Sequence, residues 1–304
     1  MPASSAATTT LTVLHAGALT ALMGKSLGPA FERATGIAVR AVRGHSVALA
    51  DGIKDGSQVG DLFLSADAAV NETLRGAANG DWVRWFVTFA RNAVVLAYSP
   101  RGVLGERLAR AGDGTPPWYE LLRQPGVRMR RNDPDSDPMG YYTVLVCRLA
   151  ERHYGLSGLA EAILGPPQNP AQVGQPDPGG LASGAIDAMF LYRSAALETG
   201  LPFLDLPDAV NLGNPDLAAG YGRATYTTAQ GRTFSGRPIR FSAAPLAHAA
   251  QPEAARRFLA FLLGQEGQAL VAAHHFLPSP VLLGGEGEAL PPELRPVITG
   301  IYPR

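Results

Sequence analysis

The chain has 304 residues, of which 46% are hydrophobic and 17% charged, a composition that builds one large or two ordinary folded domains and excludes a disordered chain. Its 26 basic and 26 acidic residues balance to a formal net charge of zero, so the composition provides no basic face for nucleic acid. The single cysteine, Cys147, excludes an intramolecular disulfide and a cysteine-based zinc cluster.

In the first hundred residues, short apolar runs alternate with helical patterns. The predicted elements are a strand at 11–14, a helix at 19–31, a strand at 37–43, a helix at 47–53, a strand at 61–64 and a helix at 68–74. Three consecutive strand–turn–helix units predict a parallel α/β sheet. Two further strands are predicted at 82–88 and 93–98.

The rest of the chain has a less regular pattern. A loop rich in Asp and Pro at 132–138 leads into a long predicted helix at 139–154, and the Pro/Gly-rich passage 165–180 is typical of a linker. The other predicted elements are strands at 127–131, 185–190, 203–206 and 239–243 and helices at 118–123, 194–198 and 252–262. No run approaches the roughly 20 apolar residues that a membrane-spanning helix needs.

Residues 44–48, with the sequence Gly-His-Ser-Val-Ala, come close to the G-x-S-x-G turn that presents a serine nucleophile between a strand and a helix. With a later aspartate and the late His275, the chain order Ser–Asp–His of one class of hydrolases could be met. Against this, few strands precede Ser46, and the strand before it carries Arg40 and Arg43, whereas a strand leading to such a turn is buried on both faces. A serine hydrolase with Ser46 as nucleophile is therefore the less favoured alternative.

Several predicted strands end in small or hydroxyl residues at a helix start. These positions are 17–18, 45–46, 65, 138–139 and 192–194. Helix N-termini carry unpaired N–H groups and roughly half a positive charge, so several converging helix starts can bind an oxyanion without formal cations. The other interpretation is that Ser46 and Ser65 are ordinary N-caps, which is the commonest role of serine at such positions.

Four segments near the N-terminus carry a resemblance to a known family. They are HAGAL at 15–19, SVALA at 46–50, DLFLSAD at 61–67, and the Trp, FARN and LAY positions within 82–98. With DPDSDPMGY at 133–141, GAID at 184–187, YRS at 192–194 and the helix from 252, they resemble the molybdate/tungstate-binding proteins of ABC importers, in their archaeal-type branch. The resemblance covers about residues 10–280, in order.

This resemblance implies a two-lobed periplasmic-binding-protein fold of type II, an α/β architecture in which each lobe is a mixed sheet flanked by helices. Lobe 1 would hold 1–92 and 240–304, lobe 2 would hold 93–239, and an oxyanion would bind in the cleft between them. The ligand-binding positions carried over from the family are Ala18, Ser46, Asp137, Met139, Leu191 and Tyr192. Because an ionised carboxylate repels an anion, Asp137 would have to turn away, be protonated, or coordinate the metal centre of the oxyanion directly.

Two of these positions depart from the family pattern. Ala18 stands where the family has an anion-binding serine, so a hydroxyl donor is missing and only backbone N–H groups are left there. Leu191 stands where the archaeal-type branch has a glutamate, so one of the two carboxylates that complete six-coordination of the metal is missing. A plain tetrahedral oxyanion, or a different ligand, is therefore more plausible here than six-coordination.

The resemblance and the helix starts at the strand ends together predict an extracytoplasmic binding protein of an ABC importer. We expect it to have no catalytic activity and no cofactor, and to bind molybdate or tungstate. Another oxyanion, such as sulfate, is the alternative ligand. The expected partners are a membrane permease and the small anion, not nucleic acid, and the expected state is a monomer. Residues 1–10 lack the basic and apolar regions of a secretory signal, so either the protein is cytoplasmic or this sequence begins after a removed signal. The resemblance implies the second, and we expect a periplasmic or extracytoplasmic protein whose signal is absent from this sequence.

Overall fold

A computed structural model describes residues 9–111, 116–175 and 177–303. By internal contacts the chain divides into two compact units, unit 1 with Met1–Ala90 and Arg240–Arg304 and unit 2 with Arg91–Ile239. The resemblance put the corresponding boundaries at 92/93 and 239/240, and the cleft that it implies stays a prediction. The segment on which the signal-sequence expectation mainly depends, residues 1–8, lies outside the described residues.

The strands within the described residues are short and lie in both units. They are β1 (Thr10–Ala16), β2 (Ala38–Gly44), β3 (Leu62–Ser65), β4 (Trp85–Arg91), β5 (Val94–Tyr98), β6 (Ala188–Tyr192), β7 (Phe203–Asp205), β8 (Thr225–Thr227), β9 (Thr233–Ser235), β10 (Arg240–Pro245), β11 (Leu282–Gly285) and β12 (Gly300–Ile301).

The α-helices of the same residues range from one turn to almost five. They are α1 (Gly28–Thr35), α2 (Ser46–Asp55), α3 (Ala68–Glu72), α4 (Gly105–Ala111), α5 (Trp118–Leu122), α6 (Pro138–Tyr154), α7 (Leu159–Leu164), α8 (Pro178–Ser183), α9 (Arg193–Thr199), α10 (Asp208–Asn211), α11 (Ala218–Tyr221), α12 (Pro252–Leu263) and α13 (Gln265–Ala273). None of these described helices has the length and apolar character that crossing a membrane requires.

Unit 1 is built on a seven-stranded sheet with the order β12-β11-β4-β10-β3-β1-β2. The predicted parallel arrangement is confirmed for the first three strands, because β1 pairs in parallel with both β2 and β3. The sheet as a whole is mixed, since β10 runs antiparallel to β3 and β11 antiparallel to β4. Strand β2 lies at the edge, which explains why it can carry the exposed Arg40 and Arg43 where β3 is buried throughout.

The sequence predicts a single helix at 19–31 after β1, and the structure differs from this prediction. It forms a 3₁₀ turn at Gly17–Leu19, a π-helix at Leu22–Leu27 and then α1. Gly28 permits the π-helix, because its N–H bonds to the Met23 carbonyl oxygen and a Cβ at Gly28 would stand only 2.7 Å from that oxygen. Hydrophobic periodicity cannot reveal such a change of helix type, since the same side chains stay buried.

Unit 2 contains a three-stranded antiparallel sheet, β6-β5-β7, a β8-β9 hairpin and the long helix α6. Helix α6 starts at Pro138, a residue favoured in the first turn, and is buried without interruption from Pro138 to Cys147. The predicted strand at 127–131 is wrong: the segment makes only isolated bridges. The N–H of Arg128 donates to the Asp187 carboxylate at 2.8 Å, so a side chain takes the donor that a strand ladder would need.

Candidate functional site

The parallel strands of unit 1 end side by side. Ala16 of β1 is in register with Gly44 of β2, and His15 with Leu64 of β3, so the segments that follow the three strands start at one edge of the sheet. We call residues 17–19, 44–46 and 65–67 the strand-end edge. Ligands of open α/β sheets typically bind outside the carboxyl ends of the strands, which makes this edge the candidate site of unit 1.

Ser46 is the first residue of α2 and is 1% exposed. Its Oγ accepts the N–H of Ala66 at 3.1 Å, and its own hydroxyl hydrogen meets no acceptor among the described residues. The N-cap residue, His45, forms no side-chain hydrogen bond with the first turn of α2. The start of this ten-residue helix therefore keeps its N–H groups and the Ser46 O–H as donors.

Ala18 lies in the 3₁₀ turn Gly17–Leu19, half-buried, and no side chain caps the first turn there either. By contrast, the third helix start at the edge is occupied by its own side chains. Asp67 is the N-cap of α3 and accepts the Ala69 N–H at 2.8 Å, and the Ser65 hydroxyl donates to the Asp67 carbonyl oxygen at 2.7 Å. The interpretation of Ser46 and Ser65 as N-caps is wrong, since neither side-chain oxygen accepts an N–H of the helix that follows it.

The sequence interpretation missed a cation at this edge. A Cβ added to Gly17 would stand 3.3 Å from Nε and 3.5 Å from Nη2 of Arg43, so the guanidinium lies directly against this glycine. Its charge also acts on His15, which is 2% exposed. Burial lowers the pKa of His15, a hydrogen bond to the Ala16 carbonyl oxygen opposes the shift, and Arg43 adds to it. The available signal was an arginine near the end of a strand, three residues before Ser46.

The geometry gives the serine-hydrolase alternative no support. Ser46 Oγ contacts the Ala66 N–H and, within the described ranges, hydrogen-bonds to no histidine, His275 included. A nucleophilic serine needs a general base within hydrogen-bond reach.

In unit 2, the first turn of α6 already has an acceptor from its own N-cap. Asp137 Oδ1 accepts the Met139 N–H at 2.7 Å, and the Asp137 carbonyl oxygen accepts the N–H groups of Gly140 at 3.0 Å and Tyr141 at 3.3 Å. The Met139 N–H, which the resemblance assigns to the anion, is thus engaged within the chain, and the Met139 side chain is buried. Whether Asp137 also meets a ligand stays a prediction.

Leu191 and Tyr192 end strand β6, before α9. The Leu191 side chain is 6% exposed and belongs to an apolar cluster that also contains Ala97, Leu181, Ile186, Met189 and Leu201. Tyr192 is the N-cap residue of α9, is buried, and has its ring centroid 6.3 Å from that of Tyr142. The structure thus places Leu191 in a hydrophobic core.

The described residues contain no group of three or more His, Cys, Asp or Glu side chains arranged to hold a metal ion.

Comparisons with known proteins identify relatives of the chain and solved structures that share its fold. The chain is 34% identical, over 77% of its length and 72% of the relative, to a putative ABC transporter molybdenum-binding protein of Haloferax volcanii. It is 30% identical, over 69% of its length and 65% of the relative, to the molybdate/tungstate-binding protein WtpA of Thermococcus kodakarensis. The periplasmic molybdate-binding protein of Azotobacter vinelandii shares the fold, with a TM-score of 0.61 and 19% identity over 88% of this chain and 99% of that one.

The expected type II periplasmic-binding-protein fold is thereby confirmed. A profile described as bacterial extracellular solute-binding protein matches residues 11–277, which is most of the chain. The chain belongs to this family of bacterial extracellular solute-binding proteins.

Proposed function

We propose that this protein is the solute-binding component of an ABC importer and that it binds molybdate or tungstate through the strand-end edge of unit 1. The observation that carries the proposal is that no side chain caps either helical turn at this edge, the turn Gly17–Leu19 or the first turn of α2. The Ser46 hydroxyl, whose oxygen accepts the Ala66 N–H, adds a donor at the start of α2. The printed functions of the Haloferax and Thermococcus relatives support the choice of ligand.

The chemistry of this edge suits a tetrahedral dianion. Backbone N–H groups at the start of a helix point at an anion and the helix dipole favours its negative charge. Such donors contact oxygen atoms, so they cannot distinguish molybdate from tungstate well, because both present the same charge and nearly the same oxygen shell. Sulfate is smaller, and it would leave some donors stretched or unpaired, which costs binding free energy.

Coordination of the metal by four oxygen atoms is part of the proposal. Six-coordination needs two carboxylates from the protein, and the position that the family fills with glutamate is Leu191, within an apolar cluster. Delivery of the anion to a membrane permease, an extracytoplasmic location and the absence of a catalytic step belong to the same proposal.

Isothermal titration of the purified protein with molybdate, tungstate, sulfate and phosphate tests the ligand. We expect the first two to bind tightly and sulfate to bind more weakly. A free ligand concentration of about 100 times the dissociation constant should stabilise the folded protein by about 2.7 kcal/mol, which a thermal-shift measurement detects. Binding of none of these anions would overturn the proposal, and a preference for sulfate would replace molybdate and tungstate by the alternative ligand.

X-ray absorption at the bound metal tests the coordination. Four oxygen neighbours are expected, and six would contradict the tetrahedral account while leaving the identity of the ligand intact.

A further inference from the structure

The cation at the strand-end edge is placed by the sheet and by a glycine. Arg43 is the last residue but one of β2 and pairs in register with His15 of β1, which puts it at the carboxyl end of both strands. Its guanidinium lies against Gly17, where any larger residue would put a Cβ 3.3 Å from Nε and 3.8 Å from Cζ. The guanidinium therefore lies beside Gly17, in the turn that carries Ala18.

The two arginines of β2 differ in what they contact. Arg40 donates from Nε to the Thr12 hydroxyl at 3.2 Å. Arg43 makes no hydrogen bond or ion pair with any residue in the described part of the chain, although five N–H donors project from its guanidinium. The carboxylate of this edge, Asp67, instead accepts the Ala69 N–H at the start of α3.

We propose that Arg43 contacts the bound anion in place of the hydroxyl that is missing at Ala18, and that it makes this site select dianions by charge. The inference rests on the proposed function, since it takes the strand-end edge as the binding site. Hydrogen bonds from a charged donor are roughly twice as strong as neutral ones, so one guanidinium can replace a lost serine hydroxyl. Neutral N–H and O–H donors recognise oxygen atoms of any tetrahedral anion, whereas a full positive charge adds an attraction that grows with the charge of the ligand.

The test compares two anions of the same shape. Tungstate and perrhenate are both tetrahedral and nearly equal in size, but tungstate carries two negative charges and perrhenate one. Isothermal titration measures both affinities, at low and at high salt, for the unmodified protein and for Arg43→Gln, Arg43→Lys and the matched control Arg40→Gln.

We expect Arg43→Gln to weaken tungstate binding about ten- to hundredfold, the range for a hydrogen bond with a charged partner. Perrhenate binding should fall by a smaller factor, and the salt dependence of tungstate affinity should become shallower. Arg43→Lys should keep the preference for tungstate in part, because it keeps the charge but not the planar fork of donors. Arg40→Gln should leave both affinities unchanged.

The outcomes separate the two proposals. If the unmodified protein binds none of the oxyanions, the proposed function fails and this inference fails with it. If the unmodified protein binds tungstate and Arg43→Gln binds it equally well, only the role of Arg43 is overturned. An equal loss for tungstate and perrhenate would also overturn charge selection. Because Arg43 is an exposed residue, thermal unfolding is expected to show each variant folded.

Discussion

The strand-end edge of unit 1 and the first turn of α6 in unit 2 have the same construction in the sequence but not in the structure. In unit 2 the cap is an aspartate, and Asp137 occupies the Met139 N–H with its carboxylate. In unit 1 the residue before α2 is His45, whose side chain forms no hydrogen bond with that turn. The identity of the N-cap residue thus decides whether a helix start keeps its donors for a ligand.

The largest expected effect concerns unit 2, where Leu191→Glu would introduce the carboxylate that the resemblance implies at this position. Because Leu191 lies in an apolar cluster, the new carboxylate would be buried without a partner. We expect the free energy of unfolding to fall by about 3–5 kcal/mol, measured by urea denaturation. The control Leu191→Met, which keeps the volume, should cost less than about 1.5 kcal/mol. A Leu191→Glu protein of unchanged stability would show that this side chain can leave the cluster.

The next effect tests the donors of unit 1. Ser46→Ala should weaken oxyanion binding by about 1.5–3 kcal/mol, because a hydroxyl donor to a charged partner is lost. It should also lower the free energy of unfolding by about 1–3 kcal/mol, because the buried Ala66 N–H loses its acceptor.

The matched control for Ser46 is Ser65→Ala. The Ser65 hydroxyl donates to the Asp67 carbonyl oxygen, within its own turn, so we expect this variant to bind the anion as the unmodified protein does. Titration of both variants checks the difference. Equal affinities for Ser46→Ala and the unmodified protein would remove Ser46 from the site.

Local sequence signals predicted some elements of the fold but not the order of the strands in the sheet. The strands β1 and β3 and the start of α6 were predictable, because apolar runs, Pro138 and the turn residues are local signals. The edge position of β2 was not, since strand order depends on pairing between segments distant in the chain. Without that order, Arg43 counted only as evidence against a buried strand.

The partners of the polar groups were equally hidden. A serine before a helix predicts an N-cap, but Ser46 bonds to Ala66, which is distant in sequence. Likewise, the ligand-binding position that the resemblance implies at Leu191 does not reveal that this side chain packs with Leu181 and Leu201.

A smaller effect is expected at the occupied helix start of unit 2, with Asp137→Asn. Asparagine caps helices about as well as aspartate, so the stability should change by only a few tenths of a kcal/mol. Removal of one negative charge should leave oxyanion affinity unchanged or raise it a few-fold. Titration checks the affinity, and Asp137→Ala, which loses the cap, should cost about 1 kcal/mol of stability. A loss of affinity of tenfold or more for Asp137→Asn would show that the carboxylate coordinates the metal centre.

A small gain in affinity is expected for Ala18→Ser in unit 1. A serine in the half-buried turn Gly17–Leu19 would add one hydroxyl beside the N–H groups that no side chain caps. We expect tungstate to bind more tightly by about 0.5–1.5 kcal/mol in isothermal titration. Weaker binding would mean that the turn is shaped around a different ligand.

The size of that gain should depend on Arg43, because both groups are proposed to serve the same oxygen atoms. With the guanidinium against Gly17, a new hydroxyl competes for an acceptor that already has a charged donor. In the Arg43→Gln background that competition is absent, so Ala18→Ser should recover more affinity there than in the unmodified protein. A double-mutant cycle measures the difference, and coupled neighbours typically give about 0.5–3 kcal/mol. Strictly additive effects would mean that the hydroxyl and the guanidinium act on separate parts of the ligand, and that the missing serine has no substitute.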